Sequence, residues 1–260
     1  MGASLSVAEL LAPFCTDPIG SAIFTDFDGT LAPIVDDPAS ARPLPGAVDV
    51  LDGLARRYGV VGVVSGRPVA FLRAHLGGHG LSLFGLYGLE SASARGDVRT
   101  APEAAPWLAV VDSVAAEPGL PPGLTLEHKG PSVTVHFRTQ PDRAEVARRW
   151  ADERAAETGL VVHPGRRCYE LRPPVEMDKG TVVAMAAAGR RAVFLGDDHA
   201  DLAAFDALDR LAAGGTTVVR VAVTSPEAPP ELLERADLVV DGPENALSVL
   251  RVLLGGPAAR

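Results

Sequence analysis

Phe24-Thr25-Asp26-Phe27-Asp28-Gly29-Thr30 ends an apolar run that begins at Ser21 and sets two carboxylates two residues apart. In a β-strand, successive side chains alternate faces, so Asp26 and Asp28 project the same way. Gly29 then allows a sharp turn at the carboxyl end of the strand. Paired acids beside exposed backbone at a strand tip suit a hard cation and a phosphoryl group.

Working outward, short apolar runs alternate with helical periods. A helix is expected over Gly2–Leu11, a strand over Ser21–Phe27 and a helix over Gly46–Tyr58, where Val48, Leu51 and Leu54 recur. Gly59–Val64 is continuously apolar and stops at Ser65-Gly66-Arg67-Pro68, as a buried parallel strand does. A helix over Val69–Leu76 and a strand over Leu81–Tyr87 follow. Beyond Pro173-Pro174 the alternation resumes: helix Lys179–Gly189, strand Arg191–Gly196, helix Asp198–Leu211, strands Thr217–Val223 and Asp237–Val240, helix Glu244–Leu254. This order predicts an α/β fold, a Rossmann-like parallel sheet with helices on both faces.

Residues 101–174 follow another pattern. A helix over Ala101–Ala116 precedes strands Leu124–Lys129 and Ser132–Arg138, joined at Gly130-Pro131. A charged helix over Asp142–Thr158 precedes strands Leu160–His163 and Arg167–Arg172, turning at Pro164-Gly165. Helix, two strands, helix, two strands is an α+β unit. The expected organisation is a core of residues 1–100 and 175–260 interrupted by an insert of residues 101–174.

Four elements carry chemistry: Asp26/Asp28 after the first strand, Ser65-Gly66-Arg67 after the second, Asp178-Lys179-Gly180 opening a helix, and Gly196-Asp197-Asp198 after an apolar strand. In a parallel sheet the strand ends share one edge, where ligands bind. Asp26, Asp197 and a backbone carbonyl near Asp28 can hold Mg²⁺. Asp26 can attack phosphorus. Ser65 and Lys179 can carry the charge of the phosphoryl oxygens. Asp28 can protonate the leaving alkoxide.

In this order the four elements resemble the haloacid dehalogenase superfamily. The run Asp26–Ile34, followed by Pro38, Ala41 and Pro43, resembles the trehalose-6-phosphate phosphatase family, as do Gly88-Leu89-Glu90, Glu127-His128-Lys129-Gly130, Val133–Arg138 and Glu170-Leu171-Arg172-Pro173. The resemblance spans roughly Ser21 to Phe205. It implies a core of the haloacid dehalogenase type with an inserted α+β cap. It implies Asp26 as nucleophile, Asp28 as general acid/base, Asp26, Asp28 and Asp197 as Mg²⁺ ligands, and Ser65 and Lys179 as phosphate binders. It implies Glu127, Lys129 and Glu170 as sugar binders, joined at the phosphate turn by Gly66 and Arg67, with His136, Arg138 and Arg172 as further candidates. Asp198 and Asp201 would stand behind the metal. The implied reaction is hydrolysis of trehalose 6-phosphate through an aspartyl-phosphate.

Two motifs depart from the family. Leu86-Tyr87-Gly88 stands where the family has Asn-His-Gly, and Asp197-Asp198-His199-Ala200-Asp201-Leu202-Ala203 lacks the family's later acids. These departures keep open another sugar phosphate: a glucosyl- or mannosyl-phosphoglycerate, sucrose phosphate or a pseudo-disaccharide phosphate. A non-catalytic sugar-phosphate sensor is the reading from a different class.

Composition bounds the partners. The 260 residues carry a net charge of -9, which disfavours nucleic acid and anionic membranes. A small anionic sugar phosphate would need a local positive site. Cys15 and Cys168 are the only cysteines and imply neither a disulfide framework nor a metal cluster. The first residues lack the features of a secretory signal, and the cytoplasm is the expected compartment.

Overall fold

The computed structural model describes residues 5–77, 80–93, 96–165, 167–225 and 228–255. Its elements are α1 (Val7–Thr16), β1 (Ser21–Thr25), α2 (Ala47–Arg57), β2 (Val60–Val64), α3 (Val69–Leu76), β3 (Ser82–Gly85), β4 (Glu90–Ser93), β5 (Arg99–Thr100), α4 (Leu108–Ala115), β6 (Thr125–His128), β7 (Val133–His136), α5 (Ala144–Thr158), β8 (Val161–Gly165), β9 (Cys168–Arg172), α6 (Lys179–Ala187), β10 (Arg191–Gly196), α7 (Asp201–Ala213), β11 (Val218–Thr224), α8 (Pro230–Arg235), β12 (Leu238–Asp241) and α9 (Gly242–Leu254).

The chain divides into two compact units, one of Met1–Arg99 with Met177–Arg260, the other of Thr100–Glu176. Among the described residues the first unit is built on an eight-stranded sheet in the order β12-β11-β10-β1-β2-β3-β4-β5. The strands from β12 to β3 run parallel, and β4 turns back antiparallel to β3. β1 lies between β10 and β2, with Ile23 opposite both Val193 and Val61. Its side chains alternate between two cores: Ile23 joins Phe14, Leu51 and Leu250 on one face, while Ala22 and Phe24 join Val182, Phe194 and Phe205 on the other. Burial on both faces explains why β1 reads as apolar without alternation.

The second unit is a four-stranded antiparallel sheet in the order β6-β7-β9-β8, with α4 and α5 packed through Val111, Val114, Ala147, Trp150 and Leu171. Among the described residues no helix is long and apolar enough to cross a membrane.

Several expected elements are corrected. The first helix starts at Val7 because Ser6 caps it: the Glu9 N–H donates to Ser6 Oγ, and the Ser6 N–H donates to the Glu9 carboxylate. Residues 2–4 of the expected helix lie outside the described residues. Helix 101–116 shrinks to Leu108–Ala115 behind a 3₁₀ turn at Ala105–Trp107, which holds Pro106 at its start. Strand 81–87 stops at Gly85, because Leu86 and Tyr87 take left-handed φ of 51° and 58°. Their N–H groups donate to Arg67 O at 3.0 Å and Ser65 O at 2.9 Å, so the strand end folds onto the phosphate turn. Pro164 and Gly165 lie inside β8, where an edge strand tolerates proline. β4, β5 and α8 were not expected from the pattern.

Candidate active site

The candidate site grows from the carboxyl ends of β1, β2 and β10. The peptide after β1 is held by the Asp26 N–H, which donates to Leu195 O at 2.9 Å. The loop beyond it closes on itself: the Gly29 N–H donates to Ala32 O, and the Leu31 and Ala32 N–H groups donate to Phe27 O. Gly29 sits at φ +76°, and a Cβ there would fall 2.0 Å from Asp197 Oδ2. Only glycine admits both the turn and the approach of that carboxylate. Thr30, fully buried, donates its hydroxyl to Asp197 Oδ1 at 3.0 Å. The loops after β1 and β10 are thereby tied together.

Lys179 opens α6 because Asp178 caps it, accepting from the Thr181 N–H at 2.7 Å. Capping of this kind contributes about 1 kcal/mol. The Lys179 side chain is only 1 % exposed, and its Nζ lies 2.6 Å from Asp201 Oδ1, 3.0 Å from Asp26 Oδ2 and 3.7 Å from Asp198 Oδ1. The other Asp201 oxygen accepts the Asp197 and Asp198 N–H groups at 2.8 and 2.9 Å. Asp201 thus shapes the loop after β10 and anchors the lysine at once.

Four carboxylates around one ammonium leave negative charge in excess. Burial pushes the Asp26 pKa well above the carboxylate range; Lys179 opposes this, and Asp201, Asp198 and Asp197 reinforce it. Burial and then Asp201 push Asp197 up to about 7. Asp201 rises to about 6, again chiefly from burial. Burial works against the charge of Lys179, but Asp198, Asp201 and Asp26 outweigh it and hold its pKa well above the ordinary value. Asp198 moves the other way: burial is outweighed by Lys179 and by hydrogen bonds from Asp201 and Ala200.

A carboxylate oxygen from each of Asp26, Asp197 and Asp201 lies within 4.8 Å of the others, all buried. Hard oxygen donors with uncompensated charge fit a divalent cation such as Mg²⁺. Asp201 has both oxygens engaged, which leaves Asp26 and Asp197 as the carboxylates best placed to ligate.

Ser65 is buried at the end of β2, and its Oγ accepts the Arg67 N–H at 3.2 Å. A Cβ on Gly66 would fall 2.7 Å from the Tyr87 hydroxyl, so the tyrosine ring packs over this turn. Asp28 is drawn away from the carboxylate cluster, for both its oxygens accept from Arg67, each at 2.7 Å. That pairing, the Thr30 bond to Asp197 and the Tyr87 contact escaped the sequence reading. Thr30 lay inside the quoted motif and was the one available signal. Glu90, which ends the Gly88-Leu89-Glu90 match, accepts the Val69 N–H at 2.9 Å and so fixes the start of α3.

In the second unit, register aligns Glu127, Thr134, Glu170 and His163 across four strands, on the face opposite Val133, Val135 and Leu171. Glu127 meets His136 at 2.8 Å and Lys129 at 3.5 Å. The His136 hydrogen bond holds the Glu127 pKa below its ordinary value. Glu170 accepts from Ser132 Oγ at 2.7 Å and from Arg172 Nε at 2.9 Å. Burial there is outweighed, first by Arg172 and then by Lys129, so its pKa also falls.

The fold is that of haloacid dehalogenase-like hydrolases. A structure of one from Bacteroides thetaiotaomicron covers 89% of this chain and 99% of its own at a TM-score of 0.60 and 16% identity. The C-terminal domain of Candida albicans trehalose-6-phosphate phosphatase covers 98% of both chains at a TM-score of 0.71 and 23% identity. Within that fold class, the chain belongs to the trehalose-phosphatase family, whose model matches residues 24–233. The trehalose-phosphate phosphatase of Mycobacterium leprae is 35% identical over 218 residues, 76% of this chain and 50% of the relative. The chain thus spans about half the length of the curated relatives it matches.

Proposed function

We propose that this chain is a Mg²⁺-dependent phosphomonoesterase that hydrolyses trehalose 6-phosphate to trehalose and phosphate. The observation that carries the reading is the buried Asp26 carboxylate, 3.0 Å from Lys179 and clustered with Asp197 at the sheet edge. Membership of the trehalose-phosphatase family supports the substrate.

Asp26 attacks phosphorus while the bond to the sugar oxygen breaks, giving an aspartyl-phosphate. Ser65 donates to the phosphoryl oxygens, and Lys179 carries part of their charge. Asp28 gives a proton to the departing sugar oxygen and takes one from the water that releases phosphate. A divalent cation held by Asp26 and Asp197, with a carbonyl near Asp28, would reduce repulsion between carboxylate and phosphate dianion. Asp201 and Asp198 hold the lysine and the loop from behind. Residues 101–174 act as the sugar-recognising insert, with Glu127, Lys129 and Glu170 bonding to hydroxyls.

The test is phosphate release from trehalose 6-phosphate, glucose 6-phosphate and sucrose 6-phosphate, with and without Mg²⁺. Preference for trehalose 6-phosphate is expected. Equal rates on all three would remove the substrate and keep the chemistry. Binding without turnover would turn the reading into that of a sensor.

A further inference from the structure

We infer that Arg67 is the positioning residue of Asp28, the group that passes a proton to the leaving sugar oxygen, and that it does not bind the sugar phosphate. The inference rests on the phosphatase reading above. The Arg67 guanidinium is held on three sides. Nε and Nη2 donate to the two Asp28 oxygens at 2.7 Å each, and Nη1 donates to Pro38 O at 2.7 Å. Its central carbon lies 4.6 Å above the Phe71 ring. Phe71 is itself fixed, edge-on to Phe27 at 5.6 Å and stacked on His75 at 4.3 Å. The Arg67 backbone is pinned as well, its N–H on Ser65 Oγ and its carbonyl accepting from Leu86.

A planar fork on a carboxylate fixes direction as well as charge. Here the fork is spent on Asp28, and a phosphate would have to displace that carboxylate to reach it. Asp28 is the side chain that most needs such support. It lies in the loop after β1 and is partly exposed. A proton donor must stay within hydrogen-bond reach of the oxygen it serves.

The chemistry balances around a fixed Asp28. As Asp26 bonds to phosphorus, the electron pair of the breaking bond leaves on the sugar oxygen, which takes the Asp28 proton. When water attacks the aspartyl-phosphate, that bond's electrons return to Asp26 and the water's proton passes to Asp28.

The dependence on leaving group tests this in the full-length protein with Mg²⁺. A sugar alkoxide needs a proton to leave; p-nitrophenolate does not. Arg67→Ala is expected to lower kcat on trehalose 6-phosphate by about 10²-fold, within the range that general acid catalysis contributes. Its KM should change little, and its loss on p-nitrophenyl phosphate should be far smaller. Arg67→Lys should recover part of the sugar-phosphate rate, as should added guanidinium on Arg67→Ala. In an Asp28→Asn background, Arg67→Ala should add nothing. A raised KM for trehalose 6-phosphate with kcat retained would make Arg67 a substrate binder and overturn the inference. Equal losses on both substrates in Arg67→Ala and Arg67→Lys would make it merely structural. Wild-type protein inert on both substrates would instead remove the phosphatase reading, and this inference with it.

Discussion

Beyond the carboxyl ends of β1 and β10, Asp26, Asp198 and Asp201 surround the ammonium of Lys179, with Asp197 beside them. In Thr100–Glu176, Glu127 and Glu170 meet Lys129, His136, Ser132 and Arg172. Asp26, Asp197 and Asp201 have raised pKa values, while both glutamates are lowered. Depth does not account for Glu170, which is about as buried as Asp26. Charge balance does. The first centre is short of positive charge; the second is compensated by its own side chains. A catalytic centre for a metal and a phosphate fits the first condition. A preformed surface of donors and acceptors for neutral hydroxyls fits the second.

The sharpest way to break this contrast is to remove the proposed nucleophile. Asp26→Asn should abolish turnover, by at least ~10⁴-fold as for other removed nucleophiles, while the folded protein persists. Persisting phosphate release would dissolve the functional half of the comparison.

Next in size is the loss of the lone cation. Lys179→Met should cost about 3 kcal/mol in urea unfolding, because it leaves buried carboxylates unpaired. Part of that loss should return with Mg²⁺. Arg172→Met in the compensated centre should cost less and show no response to Mg²⁺.

Substitution in the second unit should separate binding from chemistry. Glu170→Gln is expected to raise KM for trehalose 6-phosphate by ~10-fold or more, the scale of a lost charged hydrogen bond. It should leave p-nitrophenyl phosphate hydrolysis near wild type. Equal damage on both substrates would argue that Glu170 supports the fold only.

The smallest and most direct test is pH. A group with a raised folded pKa adds stability that is complete below its unfolded value and is lost as pH rises through the folded one. Without divalent metal, the first unit should therefore weaken as pH climbs through about 6 and 7, following Asp201 and Asp197. Metal should restore it most at the alkaline end, since ligands bind deprotonated. Glu127 and Glu170 are lowered, so the second unit should instead weaken as pH falls from about 4.5 through their folded pKa values. Both tryptophans, Trp107 and Trp150, lie in the second unit, so fluorescence melts excited at their absorption edge report on it alone. Indistinguishable pH profiles for the two units would refute the difference in charge balance.

Much of the fold is legible in one dimension because burial imposes period. Strand β1 is apolar on both faces, and α2 repeats Val50, Leu51 and Leu54 toward the core. The elements that escaped are short or depend on partners. β4 exists by pairing with β3. Leu86 and Tyr87 look like strand and are bent by hydrogen bonds to Arg67 and Ser65, 19 and 22 residues earlier in the chain. Likewise Asp28 and Arg67 were each visible as charged residues at a strand end. That they occupy one another depends on β1 and β2 lying side by side in register.

Sequence by itself determined the residue types, their order and their places at strand ends, because alternation and turn chemistry are local properties of the chain. It thereby led to the expectation that Asp26, Ser65, Lys179 and Asp197 would meet at one edge, and Asp26, Lys179 and Asp197 do lie together. Tertiary structure decided the charge state of that edge, since a pKa depends on which groups surround a carboxylate and how much water they exclude. It also decided that Arg67 would hold Asp28, because a guanidinium can serve whatever carboxylate or phosphate comes within reach, and only the packing of Phe71 and Pro38 chooses between them.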